Sequence, residues 1–182
     1  MTAAALRGAL TRAEADSPFL RKLIARHDDL ATQLASGELA GALDSAKIID
    51  TNAPVPTALR LAKARLALTL AIGDLAGALN LETVVRELSA FADKALDLAI
   101  RDAIEALTPG AEPKGFAAIA LGKHGSRELN YSSDIDPVLI FDPETLPRRQ
   151  RDEPVEAAVR IASPAHWPSM GRPRTADPWA RR

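Results

Sequence analysis

The sequence predicts an α+β chain in which a helical N-terminal region is followed by a short sheet. Alanine and leucine are abundant while aromatic residues make up only 4% of the 182 residues, which favours helices. The stretch Asn80–Leu107 carries an apolar stripe with helical spacing. After it, two short apolar runs have the length of strands. We therefore predict a helical region over residues 1–108 and a sheet-containing region over residues 109–162.

Charge and cysteine content narrow the classes of function. The formal net charge is −1, so no global charge points to nucleic acid or to an anionic membrane as a partner. The absence of cysteine excludes disulfides and zinc–thiolate sites and fits a reducing cytosol. No window of about 18 apolar residues is free of charge, and the N-terminal apolar run is too short for a signal peptide. The sequence predicts a soluble cytoplasmic protein without a membrane span.

The first predicted helix follows a start signal at Ser17. The Ser17 hydroxyl can accept a hydrogen bond from a free N–H group of the first turn, and Pro18 fits that turn because its missing N–H costs nothing there. Gly37 and Gly41 interrupt the pattern. The apolar face of this helix is predicted to include Phe19, Leu23, Leu30 and Leu34.

Two longer helices are predicted further along the chain. The first runs from about Thr57 to Leu75, after a connector with two prolines, and its charged residues Arg60, Lys63 and Arg65 are expected to face solvent. The second starts after Asn80, which can cap it, and ends before Thr108. We interpret its stripe as core packing, since it lacks the polar groups that a cofactor site needs. The stripe consists of Leu81, Val84, Leu88, Phe91, Ala95 and Leu98.

The C-terminal part contains two predicted strands, a helix and a tail. The apolar runs Gly115–Gly122 and Pro137–Asp142 have the length of buried strands, and Asp152–Ala162 begins like a helix. Residues 163–182 hold four prolines, four arginines and both tryptophans, with no periodicity. We predict that this tail is disordered.

Two aspartates stand at the start of the second predicted strand. In a strand, residues i and i+2 point to the same side, so Asp134 and Asp136 should converge while Ile135 points into the core. Neighbouring carboxylates raise each other's pKa unless a cation neutralises them. Mg²⁺ does so and prefers carboxylates together with substrate phosphate oxygens. We therefore predict Asp134 and Asp136 as catalytic residues and as ligands of Mg²⁺.

The glycine turn after the first strand supplies the other half of the predicted site. Gly122 and Gly125 let backbone N–H groups approach a polyphosphate, and the Ser126 hydroxyl adds a donor. Lys123 and Arg127 add positive charge beside them. We predict that Gly122, Lys123, Gly125 and Ser126 bind the phosphates of a nucleotide. A phosphate-binding turn opposite two carboxylates suits nucleotidyl transfer.

Plainer interpretations remain open at this point. Most D-x-D pairs are solvated surface acids, most glycine pairs mark a bend, and Lys123 can equally be a surface charge. The chain has no G-x-x-x-x-G-K-[ST] loop and no G-x-G-x-x-G turn. His124 is interpreted as a loop or packing residue, and His27 and His166 lack metal-ligand spacing. The alternatives are another metal-dependent nucleotidyltransferase, acting on a small molecule or RNA, and a non-catalytic helical interaction module.

The run GKHGSRELNYSSDID resembles the signature of the glutamine synthetase adenylyltransferase family, G-K-x-G-G/S-x-E-L-N-x-S-S-D-I-D. The resemblance extends over residues 17–162. It implies nucleotidyltransferase domains of the polymerase-β type, of which residues 109–162 would form part. It also implies that Asp134 and Asp136 are metal ligands and that Gly125 and Ser126 lie in the nucleotide-phosphate turn.

Members of that family are longer and bifunctional. The resemblance implies that an N-terminal domain removes AMP from adenylylated glutamine synthetase by phosphorolysis, giving ADP, and that a C-terminal domain adds AMP from ATP. The balance is set by the PII signal protein and glutamine. The helices from Ser17 and the initial methionine lead us to expect the N-terminal, AMP-removing half, with glutamine synthetase and PII as partners.

Three departures from the family pattern stand out. His124 occupies a position that is usually apolar, and Pro137 replaces the usual leucine. A further aspartate, expected in an R-V-D-x-R-L-R-P segment, is missing. The resemblance stops near Ala162, so we expect that residues 163–182 are not native to the family, as a frameshift or a truncated gene would produce. We expect weaker metal binding, an open apolar sheet edge and little activity from this chain alone.

Overall fold

The computed structural model of the chain describes residues 2–163 and shows a helical region joined to a two-stranded antiparallel sheet. The predicted α+β class is confirmed. The predicted disordered tail lies, apart from Ser163, outside the described residues. The elements in chain order are α1 (Ala3–Asp16), α2 (Pro18–Arg26), α3 (Asp28–Ser36), α4 (Leu39–Ala46), α5 (Val55–Leu75), α6 (Leu81–Leu107), β1 (Phe116–Ile119), α7 (Gly122–Gly125), β2 (Val138–Phe141) and α8 (Pro154–Ile161).

The start signal at Ser17 caps α2 as predicted. The Ser17 Oγ atom accepts a hydrogen bond from the N–H of Leu20 at 3.2 Å, and Pro18 occupies the first helical position. The expected apolar face is buried at Leu23, Leu30 and Leu34. Phe19 is 58% exposed, so its predicted place on that face is wrong.

The predicted single helix is divided at His27, which separates α2 from α3. This histidine is only 3% exposed, and its Nε2 atom has no hydrogen-bond partner within residues 2–163. Burial lowers the pKa of the imidazole, and the neighbouring cations Arg65 and Arg26 lower it further, while Asp29 opposes them. The break therefore contains a buried ring that is more stable in its neutral form.

Replacing His27 with leucine is expected to make folding less sensitive to acid. The folded-state pKa lies below the ordinary value of 6.5, so the unfolded chain binds more protons as the pH falls through that window. The folded state loses stability from pH 6.5 down to the folded-state pKa, and the loss is constant below it. Urea unfolding should show that the wild type loses more free energy of unfolding between about pH 7.5 and about pH 5.5 than His27→Leu does. An equal loss in His27→Leu would contradict this account.

Helix α5 begins two residues before its predicted start, at Val55, because Pro56 fits the first turn. Arg60 is exposed as expected. Arg65 was expected in solvent as well, but its side chain is only 19% exposed and forms an ion pair with Asp29 of α3 at 2.8 Å. The face of α5 that was predicted to be exposed to solvent is thus partly covered by α3.

Helix α6 confirms the clearest prediction. The Oδ1 atom of Asn80 accepts a hydrogen bond from the N–H of Thr83 at 2.8 Å and caps the helix. The stripe is buried at Val84, Leu88, Phe91 and Ala95. Leu81, in the first turn, is 74% exposed, and Leu98 is half-buried.

Two apolar clusters share α6. The first joins helices α1 to α5 with the first half of α6 and also includes Leu129. The second lies beneath the sheet and consists of Ile100, Ala103, Ile104, Leu146, Ala157, Ala158 and Ile161, with Phe116 and Ala118 packed against it. Because one continuous helix contributes to both clusters, the sheet is tied to the helical region.

The sheet pairs Phe116 with Phe141 and Ile119 with Val138. One face packs on the second cluster, but Ile119, Val138 and Ile140 on the other face are each more than 40% exposed. The prediction of buried strands is therefore wrong, because no residue of β1 or β2 is buried and the face that packs on the second cluster is at best half-buried. The apolar side chains of the second face are therefore largely in solvent.

Candidate functional site

The turn after β1 is built around the single helical turn α7. Gly122, at its start, has a φ of 54°, which glycine adopts readily. Gly125 packs on the end of β1, where an added Cβ atom would lie 2.7 Å from the carbonyl oxygen of Ala120. Glycine at 125 is thus required by close packing, a reason that does not depend on a ligand.

Two of the predicted nucleotide-binding residues use their donors inside the turn. The N–H of Gly125 donates to the carbonyl of Leu121 at 3.1 Å, and the N–H of Ser126 donates to that of Gly122 at 3.0 Å. The Ser126 hydroxyl donates to the carboxylate of Glu128 at 3.1 Å. Gly125 and Ser126 therefore shape the turn, and their N–H groups are already satisfied.

The other two predicted residues keep their donors available. The N–H groups of Gly122 and Lys123 have no hydrogen-bond partner among residues 2–163, and both residues are exposed. The Lys123 ammonium forms no ion pair within the same range. The predicted residues thus offer two backbone N–H groups and one ammonium to an anion.

Helix α6 anchors the turn through side chains that the sequence did not single out. The Asp93 carboxylate lies 2.8 Å from Nε2 of His124 and 3.3 Å from a guanidinium nitrogen of Arg127. Just beyond, the N–H of Leu129 donates to the Ser89 hydroxyl at 3.3 Å, and Leu129 is buried in the first cluster. His124 is buried, so the interpretation as a packing residue agrees with its position.

The segment that leads to the carboxylates is closed by a small hydrogen-bonded loop. The Asn130 side-chain oxygen accepts from the N–H of Ser132 at 3.0 Å and from the Ser133 hydroxyl at 2.9 Å. The Ser133 hydroxyl in turn accepts from the N–H of Asn130 at 3.0 Å. The asparagine and the second serine of the N-x-S-S-D run thus fix the chain immediately before Asp134.

Asp134 and Asp136 both face solvent. Exposure alternates along this segment, because Ile135 and Pro137 are half-buried and Ile135 packs against the first apolar cluster. Such alternation is the pattern expected of an extended segment with both carboxylates on its solvent side, and their convergence stays a prediction. The regular strand begins only at Val138, so the two aspartates precede β2 rather than open it.

Helix α5 borders the carboxylate segment. Burial lowers the pKa of the half-buried Lys63 ammonium, and the negative charge of Asp134 opposes that shift. Burial, together with the charge of Asp74, raises the pKa of the Tyr131 hydroxyl to about 12. The segment is thus flanked by side chains of the helical region, and Asp134 has a cation in its surroundings.

Residues 2–163 contain no group of three or more histidine, cysteine or acidic side chains suited to a metal ion. The donor set present is the pair Asp134 and Asp136. Mg²⁺ is commonly held by one or two carboxylates, with water and substrate phosphate oxygens completing its coordination. The pair fits Mg²⁺ bound together with a nucleotide better than a metal held by protein alone.

A family model described as glutamate-ammonia ligase adenylyltransferase matches residues 8–165. The chain belongs to this family. Its match covers the strand–turn–strand unit and the helical region from residue 8 onward, so the similarity is not confined to the signature.

Several relatives are similar to this chain over most of its length. A bifunctional glutamine synthetase adenylyltransferase/adenylyl-removing enzyme of Caulobacter vibrioides is 37% identical over 93% of the chain, and one of Rhizobium meliloti is 30% identical over 87%. One of Agrobacterium fabrum is 33% identical over 70%. The chain spans only 19%, 18% and 15% of these relatives, respectively. No solved structure matches the chain.

One departure from the family signature has a simple place in the fold. Pro137 immediately precedes β2, so its missing N–H falls outside the ladder that pairs β2 with β1. The strand therefore tolerates proline where the family usually has leucine.

Among the helices of residues 2–163, none combines the length and apolar character that crossing a bilayer requires. A cleft of about 280 Å³ lies between α6 and β1. Its lining includes Asp93 and His124 but neither Asp134 nor Asp136, so it is separate from the predicted carboxylate pair.

Proposed function

We propose that this chain carries part of a nucleotidyl-transfer site that removes AMP from adenylylated glutamine synthetase. The observation that carries the proposal is the placement of the family signature. Its two aspartates are both exposed on either side of the half-buried Ile135, and its turn keeps two N–H groups and the Lys123 ammonium unpaired within residues 2–163. Relatives that match the chain are named adenylyltransferase and adenylyl-removing enzymes of glutamine synthetase.

Each group would have a defined part in the reaction. Asp134 and Asp136 would hold Mg²⁺, which when bound neutralises charge on the phosphate oxygens. Gly122 and Lys123 would contact the phosphates and orient them. In phosphorolysis, an oxygen of inorganic phosphate attacks the phosphorus of the AMP group, the bond to the tyrosine oxygen breaks, and that oxygen takes up a proton. The products are ADP and the unmodified tyrosine.

We also propose that turnover by this chain is slow. Within residues 2–163 no third histidine, cysteine or acidic side chain joins the acidic pair to form a larger metal-binding group. With fewer ligands the metal is bound less tightly and is positioned less well for transfer. We propose as well that the PII signal protein regulates the complete enzyme and that the enzyme acts in the cytoplasm.

Incubating the purified chain with adenylylated glutamine synthetase, phosphate and Mg²⁺ should release ADP slowly. Asp134→Asn should abolish this release, since it removes a ligand charge, whereas Asp97→Asn, an exposed acid on α6, should not. A parallel reaction with unmodified glutamine synthetase and ATP should release no pyrophosphate. Pyrophosphate release without ADP release would show that the chain adds AMP to glutamine synthetase rather than removing it, and would contradict the proposal. Rapid phosphorolysis would contradict the proposed slow turnover.

Failure to bind glutamine synthetase, with metal-dependent nucleotide binding intact, would instead favour a nucleotidyltransferase with another substrate. Absence of both kinds of binding would favour a helical interaction module.

A further inference from the structure

We propose that Asp93 of α6 is a positioning residue that fixes the turn at 122–127 in the orientation needed for phosphate binding. This role rests on the proposed function, because it concerns the nucleotide-binding turn of the same site. Asp93 lies 29 residues before Gly122 in sequence and touches the turn at two points.

The first contact is the hydrogen bond between Asp93 and His124. An ionised carboxylate can only accept, so Nε2 of the imidazole donates across 2.8 Å. The His124 side chain is 2% exposed, and its Nδ1 atom has no partner within residues 2–163. Asp93 therefore provides the only polar contact that the described residues make with this buried ring. Without it, both nitrogens would be buried and unpaired.

The second contact holds the end of the turn. Arg127 has a φ of 59°, a left-handed conformation that is strained for a residue with a side chain. Its guanidinium reaches the other Asp93 oxygen at 3.3 Å. The ion pair therefore helps to keep Arg127 in this conformation, which ends α7 and redirects the chain toward Leu129.

Packing alone does not set the position of the turn. The cleft of about 280 Å³ between α6 and β1 is lined by Asp93, Ala120 and His124, so the helix and the turn are not in continuous apolar contact there. Where a void separates two elements, dispersion contacts restrain them weakly. The directional bonds of Asp93, together with the Ser89–Leu129 hydrogen bond just beyond the turn, then set how far the turn lies from α6 and so where the N–H groups of Gly122 and Lys123 point.

The two contacts of Asp93 with His124 and Arg127 form what we call the clamp. Hydrogen exchange of the turn amides tests this clamp independently of enzymatic activity. The reporters are the N–H groups of Ser126, Arg127 and Glu128, each bonded to a carbonyl inside the turn. Asp93→Ala should speed their exchange by about tenfold or more, the effect of losing one charged hydrogen bond. Asp93→Asn keeps an acceptor for His124 and should give a smaller effect.

Asp97 offers a matched control one helical turn further along α6. It is similarly exposed and pairs only with Arg101 of its own helix. Asp97→Ala should therefore leave exchange of the turn amides unchanged. Equal exchange in Asp93→Ala and the wild type would overturn the proposal, and so would equal acceleration by Asp97→Ala.

Binding of ADP with Mg²⁺ supplies the second readout, measured by calorimetry at a temperature where circular dichroism shows each variant folded. Asp93→Ala should weaken binding about tenfold, and Asp93→Asn should recover part of the loss. If Asp93→Ala lowers only the melting temperature and leaves the affinity unchanged, Asp93 is merely structural and the proposal fails. If the wild type binds no ADP, the proposed function fails, while hydrogen exchange still decides whether the clamp exists.

Discussion

Replacing Gly115 with alanine is expected to destabilise the sheet by about 3 kcal/mol or more. Gly115 has a φ of 69°, and an added Cβ atom would lie 2.5 Å from the backbone nitrogen of Leu146. Neither backbone can withdraw freely, because the carbonyl of Gly115 also accepts the N–H of Asp142 at 2.9 Å and Leu146 is buried in the second cluster. Urea unfolding followed by circular dichroism measures the loss.

Gly110 provides the matched control for this substitution. Its φ of 76° is similar, but no atom lies within 4 Å of the position that a Cβ would take. Gly110→Ala should therefore cost only the strain of the left-handed conformation, about 1–2 kcal/mol. Equal losses for the two variants would show that the overlap with Leu146 is relieved at no cost and would contradict this account of the sheet.

Neutralising either carboxylate of the candidate site should have the largest effect on ligand binding. Asp134→Asn or Asp136→Asn removes a charged ligand, so Mg²⁺-dependent affinity for ADP should fall at least about 100-fold, more than the 10–100-fold typical of outer partners of a metal site. Calorimetric titration of ADP with and without Mg²⁺ measures the change. The metal-independent part of the affinity should persist, since the donors of Gly122 and Lys123 remain.

Asp97→Asn again controls for loss of one surface charge, because Asp97 lies on α6 in an ion pair with Arg101. It should leave the Mg²⁺-dependent affinity unchanged. If all three variants bound ADP equally well in Mg²⁺, then Asp134 and Asp136 would be ordinary surface acids, the plainer interpretation of a D-x-D pair.

Local signals explain why several helices could be predicted from sequence. The caps at Ser17 and Asn80 act on N–H groups three residues away, so the determining residues are adjacent in the sequence. The stripe of α6 is also a local pattern. Helix ends that depend on Pro, Asn or Ser were accordingly placed to within two residues.

Tertiary contacts account for what the sequence did not predict. The break at His27 has no glycine or proline to mark it, and α1 buries mainly alanines, whose small side chains give a weak periodic signal. Arg65 is covered because α3 supplies Asp29, a partner 36 residues distant. A charged residue on a helix gives no indication of such a partner until the helices are packed.

The same distinction between local signals and tertiary contacts applies to the candidate site. The spacing of Asp134 and Asp136 predicts that they share a side of an extended backbone, and both are exposed in the structure while Ile135 is half-buried. The anchors Asp93 and Ser89 were missed, since on α6 they look like ordinary polar positions of an amphipathic helix. The available signal was His124, which stands where the family usually has an apolar residue. A histidine that is buried at such a position requires a polar partner, and Asp93 is that partner.

Paramagnetic broadening by Mn²⁺ tests most directly whether metal and nucleotide meet between the carboxylates and the turn. In the presence of ADP, Mn²⁺ should broaden the backbone amide signals of residues 134–136 and of residues 122–124 in the wild type. Asp134→Asn combined with Asp136→Asn should leave both groups of signals sharp. Broadening that spares these residues, or that persists in the double variant, would contradict the assignment of this site to nucleotidyl transfer.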